Sequence, residues 1–224
     1  LHPRRAIIID TEPATERTLV ASYETIGGRA TAEIVEKKSR FIANVNHAVT
    51  EAEALAFIAE IREEHKLARH NVYAYLLRDG SVRCSDDGEP SRTAGMPALG
   101  VLRHSGLVDV VAVVTRYFGG TLLGTGGLVR AYTESTQAGL AAAEHVLISR
   151  CVDIKADLPY SRYDQALYLA KEAGTKILGT DYTDRVVLTM RMLDGTEETL
   201  VAQLKELLRG DEGLAIDGPF DATF

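Results

Sequence analysis

The residues best suited to chemistry form a glycine-rich segment, RYFGGTLLGTGGLVR, between Arg116 and Arg130. It holds five glycines: Gly119, Gly120, Gly124, Gly126 and Gly127. Glycine permits positive φ and close approach of the backbone to a ligand. The free N–H groups at a helix N-terminus favour an anion, and the two arginines are placed to close on a phosphate. The segment therefore predicts an anion-binding loop; in the alternative interpretation the glycines serve only turns and packing.

A second group consists of the carboxylates Asp86, Asp87 and Glu89 in the segment SDDGEPSRTAG. Mg²⁺ prefers a few carboxylates together with water and substrate phosphate, so these three are a candidate metal site. The interpretation that we favour is structural, with the carboxylates capping the next helix and pairing with arginines. Neither a His nor a further carboxylate stands at metal-ligand spacing. We therefore expect no cofactor, with Mg²⁺ as the one candidate.

His70 stands just before a predicted strand, where it is a candidate general base or phosphate contact. A histidine at a strand end is more often satisfied by backbone hydrogen bonds, and that interpretation stays open. Cys84 lies in a polar loop, and nothing in the sequence indicates a lowered thiol pKa. The chain has neither a Gly-x-Ser-x-Gly elbow nor a His-Glu-x-x-His pair. No catalytic set is complete, which argues against an enzyme without deciding the question.

The composition excludes several classes of protein. The 224 residues are 46% hydrophobic and 25% charged, an ordinary globular balance. Two cysteines are too few for a disulfide framework and indicate a reducing, cytoplasmic location. No apolar run approaches the ~20 residues of a membrane span, so we expect no membrane partner. The net charge is −7, of which residues 22–150 carry −1 and residues 151–224 carry −6, so an anionic partner is expected to meet the first part.

The hydrophobic pattern divides the chain into three parts: a flexible leader at 1–21, a domain at 22–149 and a second domain at 150–224. The first domain is predicted to contain a hairpin at 32–45, a helix ending near His65, a strand at 71–77, a polar loop at 78–96, a short helix at 97–104, a buried strand at 108–115 and a helix at 128–144. The second follows the order strand-helix-strand-strand-helix-strand, which is typical of a ferredoxin-like domain.

Several of these segments together resemble the YigZ/IMPACT family: VDVVAVVTRYFGGTLLGTGG, SDDGEPSRTAG, KKSRFIA and RHNVYAY. The resemblance covers residues 22–150 as an IMPACT N-terminal domain, and the remainder is similar to the C-terminal domain of bacterial members. Arg92 departs from the pattern, because the family usually has Gly there. The resemblance implies a two-domain α/β (α+β) protein. The first domain would have the fold of ribosomal protein S-five domain 2, and the second a ferredoxin-like βαββαβ fold resembling modules of elongation factor G.

The function that the resemblance implies is linked to translation, because eukaryotic relatives bind the activator of a kinase that phosphorylates an initiation factor. The first hypothesis is a regulatory protein that binds the ribosome, RNA or a translation-associated protein through the glycine loop and the basic residues Lys37, Lys38 and Arg40. The alternative is an enzyme acting on a phosphorylated small molecule or nucleotide, with the three carboxylates holding a metal or acting as base. A third possibility is a protein-interaction module whose glycines are structural.

Overall fold

The computed structural model describes residues 22–209 and 212–224, so the leader predicted for residues 1–21 lies outside the described range. The described strands are β1 (Tyr23–Ile26), β2 (Ala30–Glu36), β3 (Ser39–His47), β4 (His70–Leu76), β5 (Val82–Ser85), β6 (Val110–Tyr117), β7 (His145–Leu158), β8 (Lys176–Tyr182), β9 (Val186–Leu193) and β10 (Leu214–Thr223). The described helices are α1 (Glu51–Glu64), α2 (Gly95–Ser105), α3 (Gly124–Ala142), α4 (Tyr160–Glu172) and α5 (Glu198–Leu208).

The first sheet has the order β2-β3-β6-β4-β5, with every neighbouring pair antiparallel. Its central strand β6 is an apolar, β-branched run, and side chains along a strand alternate between the two faces. Val111 and Val113 pack against α1, whereas Val110 and Val114 face the side covered by α2 and α3. The prediction of a central strand buried on both faces is confirmed.

The capping residues predict both ends of α1 correctly, whereas other element boundaries predicted for this domain differ from the structure. The Thr50 hydroxyl accepts a hydrogen bond from the Glu53 amide, and the helix ends before His65, as predicted. The prediction of an unbroken polar loop at 78–96 was wrong, because it contains the four-residue strand β5. Helix α3 begins at Gly124 and not at Leu128, since its packing on the sheet outweighs the weak helix propensity of glycine.

The second sheet has five strands, because β1 also pairs with β7. Its other four strands have the spatial order β10-β7-β9-β8, which is the ferredoxin-like arrangement. Alternate residues of β7 and β9 are buried in one cluster with the apolar faces of α4 and α5. The prediction of a mixed α/β protein with two domains is confirmed. Among the described residues, none of the helices is both long and apolar enough to traverse a bilayer.

Strand β7 joins the two domains and runs without a break across residues 149 and 150, where the sequence places the boundary. Ile148 pairs with Tyr23 of β1 and also with Thr223 of β10, so those strands lie on opposite edges of β7. Arg78 adds a polar contact between the domains through its 2.8 Å ion pair with Asp221. The buried clusters of the first sheet use residues up to 140 and that of the second starts at 152. The position of the boundary stays a prediction.

This separation of the cores predicts that the fragments 22–143 and 144–224 each fold, since the first retains the buried Ile26 of its own core. The cut precedes β7, so it keeps all four strands of the ferredoxin-like sheet, whereas a cut at 149 would divide β7. Thermal unfolding followed by circular dichroism is expected to be cooperative for both fragments. A gradual, non-cooperative loss of signal from both would contradict independent domains.

Candidate anion-binding site

Arg116 lies under α3 and not on the surface of the loop. Even-numbered residues of β6 face α3, so its side chain is only 8% exposed, and Nη1 donates a 2.7 Å hydrogen bond to Glu89 Oε1. The guanidinium lies 5.4 Å from the ring centre of Phe41 and 5.6 Å from that of Phe118. The sequence places Arg116 where it could close on a phosphate, whereas its guanidinium is buried and already paired with Glu89. Its Nε–H has no hydrogen-bond partner among the described residues, and its role as a phosphate ligand stays a prediction.

The Glu89 carboxylate is the shared acceptor of this buried cluster. Oε1 accepts from Arg116 and, at 2.8 Å, from the Tyr132 hydroxyl of α3. Burial, and next the charge of Glu89, raise the pKa of the Tyr132 hydroxyl, which therefore remains a proton donor. Because the three side chains come from β6, the segment after β5 and α3, the cluster joins elements that are distant in sequence.

His70 is the cross-strand neighbour of Arg116 in the β4–β6 register. Its Nδ1 lies 2.9 Å from the Asp87 carbonyl oxygen. A carbonyl only accepts hydrogen bonds, so Nδ1 carries the proton and the neutral ring has its lone pair at Nε2. Nε2 lies 4.0 Å from Glu89 Oε1. The backbone contact matches the structural interpretation of this histidine, while its role as a base or phosphate contact stays a prediction.

The other two carboxylates organise the segment that leads into α2. Asp86 Oδ1 accepts from the amides of Ala94 and Gly95 at the start of that helix. Asp87 accepts from Arg62 on one oxygen and from the Asn71 amide on the other. Within residues 22–209 and 212–224, no group of three or more metal-binding side chains comes together. Asp86, Asp87 and Glu89 thus have separate partners here, and their role as metal ligands stays a prediction.

Four of the five loop glycines have a structural reason. Gly120 and Gly124 adopt left-handed φ angles of 83° and 74°, which glycine tolerates best. A Cβ at Gly119 would collide with the backbone of Lys38 in the β2–β3 turn, and one at Gly127 would lie 2.9 Å from a side chain of the preceding turn. Turn conformation or close packing is therefore sufficient to explain the glycine at these four positions.

Gly126 is different, because a Cβ there would meet only Arg130 Nη1, at 3.9 Å, and its φ is not left-handed. It lies in the first turn of α3, which has no side-chain cap and no acidic residue. The exposed Arg130 forms no ion pair within the described chain and brings its guanidinium close to this turn. A cation adds to the positive end of the helix dipole, so the start of α3 gathers positive charge that a bound anion would neutralise.

A pocket of about 370 Å³ opens between the segment that follows α1 and the segment that follows β6. We call it the Arg116 pocket, and it is lined by Leu67, Ala68, Arg69, His70, Arg116, Tyr117, Phe118 and Leu122. Three apolar side chains are unusually exposed there: Leu67 (89%), Leu122 (82%) and Phe118 (55%). Nothing in the sequence indicates this pocket, because its two walls, residues 67–70 and 116–122, are far apart in the chain.

Two further positions affect the chemistry of this region. Arg92 has a left-handed φ of 63°. Its amide donates to Asp86 Oδ2 in this turn. Burial raises the pKa of the Cys84 thiol, which disfavours the thiolate and hence a nucleophilic role.

Comparisons with known proteins match both parts of the chain. Residues 37–140 match the model of the Impact N-terminal domain, and residues 157–211 match a domain of unknown function, DUF1949. Escherichia coli YigZ, an IMPACT family member, is 35% identical over 178 residues, which cover 78% of this chain and 87% of that protein. Bacillus subtilis YvyE is 48% identical over 124 residues, 54% of this chain and 57% of that protein. The crystal structure of a hypothetical protein has a TM-score of 0.59 and 32% identity, covering 88% of this chain and 97% of that one.

We expect Arg116→Met to lower the free energy of unfolding by about 3–5 kcal/mol, because it leaves the buried Glu89 carboxylate without its cation. Adding Glu89→Gln to that variant should restore much of the loss. Arg40→Met is the matched control, since Arg40 forms an exposed ion pair with Glu33, and it should change stability little. Urea unfolding measures all three variants; equal effects of the two single changes would contradict the role of the buried pair.

Arg92→Gly should raise the free energy of unfolding by about 1 kcal/mol, because a left-handed residue other than glycine carries backbone strain. The control is Arg103→Gly, an exposed position in α2, where glycine should destabilise the helix by about 1 kcal/mol. Thermal denaturation of the two variants should therefore give shifts of opposite sign. A lowered midpoint for Arg92→Gly would contradict the strain.

Proposed function

The chain belongs to the IMPACT family, and from that premise we propose that it is a translation-linked protein that binds RNA, free or on the ribosome, through its first domain. In this proposal an RNA phosphate binds at the start of α3, between the amides of Gly124–Gly126 and the Arg130 guanidinium. The observation that carries the proposal is the uncapped, cationic first turn of α3, where only Gly126 lacks a structural reason. The names of the relatives give a family and no activity, so the link to translation is part of the proposal.

The surroundings of this turn supply further cations. Lys37 and Lys38 form the β2–β3 turn, whose backbone lies against Gly119 of the loop. Arg69 is exposed at the Arg116 pocket. Arg40 contributes less than the sequence indicated, because its charge is paired with Glu33. These residues form a local basic surface on a domain of nearly balanced charge, and such a surface is what RNA backbone contacts need.

Gly126→Ala is expected to change protein stability and RNA affinity in opposite directions. Alanine is a better helix former than glycine by about 0.5–1 kcal/mol, so we expect this variant to be slightly more stable than the wild type. Its methyl group would stand among the amides that face the phosphate, so binding of a short single-stranded RNA should weaken. Gly100→Ala in α2 is the matched control, because a Cβ there meets nothing within 4 Å, and it should gain stability with no change in RNA affinity.

Fluorescence anisotropy with a labelled RNA and thermal denaturation measure the two effects. Equal RNA affinity for the wild type and the Gly126→Ala variant would contradict a phosphate site at α3.

Arg130→Gln tests the charge at the same site. The loss of one phosphate contact should reduce the slope of log K against log salt concentration by about 1. The same change at Arg103, an exposed arginine on α2, should leave the slope as it is. A slope unchanged by Arg130→Gln would place the RNA elsewhere on the molecule.

A second candidate is an enzyme acting on a phosphorylated small molecule or nucleotide. The observation that favours it is the cluster of Glu89, Tyr132 and the His70 imidazole beside the Arg116 pocket. In that case Mg²⁺ held by the carboxylates, Asp87 and Glu89 among them, would raise ligand affinity. A thermal-shift screen of nucleotides and phosphosugars, with Mg²⁺ or with a chelator, distinguishes the candidates. RNA binding that is indifferent to the chelator supports the first, and stabilisation by one small phosphate ester that is lost with the chelator supports the second.

A further inference from the structure

We propose that the Arg116 pocket binds the base of the nucleotide whose phosphate lies at the start of α3, so that the RNA is single-stranded at that nucleotide. The inference rests on the proposed function and adds to it a second contact and a class of ligand. Its starting point is the side chain of Arg116, which lines the pocket, is 8% exposed and has a buried Nε–H without a partner among the described residues. A buried donor of this kind is costly unless a ligand or water accepts from it.

The polar groups of the pocket match the edge of a nucleobase. Arg116 Nε offers a donor, and His70 offers an acceptor at Nε2 whenever its ring is neutral, because Nδ1 is committed to the Asp87 carbonyl. Bases present a donor next to an acceptor on their pairing edges. A phosphate group has only acceptors at its charged oxygens, and the Glu89 carboxylate already neutralises the Arg116 guanidinium. The pocket is therefore better suited to a base than to a second phosphate.

The apolar groups of the pocket match the faces of a base. The Phe118 ring is 55% exposed although the Arg116 guanidinium lies over it, and exposed aromatic rings are the stacking platforms of single-strand binding proteins. Leu67 and Leu122 stand at the same opening with more than four-fifths of their surface exposed. Three exposed large apolar residues around one pocket indicate a binding surface. A volume of about 370 Å³ is at the small end of ligand pockets.

The rim of the pocket is close in the chain to the start of α3. Leu122 lines the pocket and Gly124 begins α3, so two residues of chain, at most about 7 Å, separate them. A base joined to its own phosphate through one ribose can bridge such a distance. In an A-form duplex the bases are stacked and paired, and their edges are not available to a pocket. The arrangement thus favours a single strand over a duplex.

The experiment uses the full chain and four probes: adenosine 5′-monophosphate, ribose 5-phosphate, a single-stranded RNA decamer and the same decamer as a duplex. The chain contains no tryptophan, so Phe118→Trp places a single reporter at the pocket. We expect adenosine 5′-monophosphate to quench its emission and ribose 5-phosphate to leave it unchanged. We also expect the single strand to bind more tightly than the duplex at the same salt concentration.

Phe118→Ala should lower the affinity for the single-stranded decamer about tenfold or more, which is the usual effect of losing one stacked base. It should leave the affinity for ribose 5-phosphate unchanged. Val35→Ala is the control, because Val35 is an exposed apolar residue on β2 that does not line the pocket. It should not change RNA affinity.

Two results would overturn the inference in different ways. If Gly126→Ala weakens RNA binding but Phe118→Ala does not, and adenosine 5′-monophosphate binds no better than ribose 5-phosphate, the phosphate site stands and the base pocket fails. If Gly126→Ala, Arg130→Gln and Phe118→Ala all leave RNA binding unchanged, the proposed function fails and the inference with it.

Discussion

The buried ion pair between Arg116 and Glu89 is the interaction on which the geometry of the first domain depends. Placing two charges under α3 is unfavourable unless each is paired and hydrogen-bonded, and Tyr132 supplies the additional hydrogen bond to Glu89. The segment after β5, the end of β6 and the third turn of α3 are therefore held together at this cluster. Since the glycine-rich loop connects β6 to α3, the same pair determines where the loop begins and where its helix starts.

The loop glycines differ in how closely their neighbours pack against them. Gly119 and Gly127 are needed because their neighbours leave no room for a side chain, whereas Gly126 faces open space beside Arg130. The charge of the buried Arg116 is neutralised by Glu89, whereas the exposed Arg130 has no ion-pair partner among the described residues. Positive charge that a ligand could neutralise is thus found at the helix start. In the Arg116 pocket, the charge of the Arg116 guanidinium is already neutralised by Glu89, but its Nε–H can still donate a hydrogen bond. An anion and an uncharged polar ring would be bound side by side.

Features whose cause lies in neighbouring residues were predictable. Thr50 and Glu53 cap α1 by a contact between residues three apart in sequence. The apolar run around Val113 predicts a strand buried on both faces. The ferredoxin-like order of the second domain follows from the alternation of its strands and helices. Features that depend on pairing were not predictable: β5 is too short to show a pattern, and β7 continues through the predicted boundary because β1 pairs with its first residues.

The sequence by itself determined the two-domain α/β fold, the family and the set of residue types from which the site is built. These follow from hydrophobic periodicity and from long motifs, both of which are local. Only the tertiary structure decided that Arg116 is buried, that Asp86 and Asp87 bind backbone amides, and that Leu67 meets Leu122 at one pocket. The physical reason is that a strand's two faces are locally equivalent. Which face a side chain enters, and what it meets there, is set by packing against elements far away in the chain.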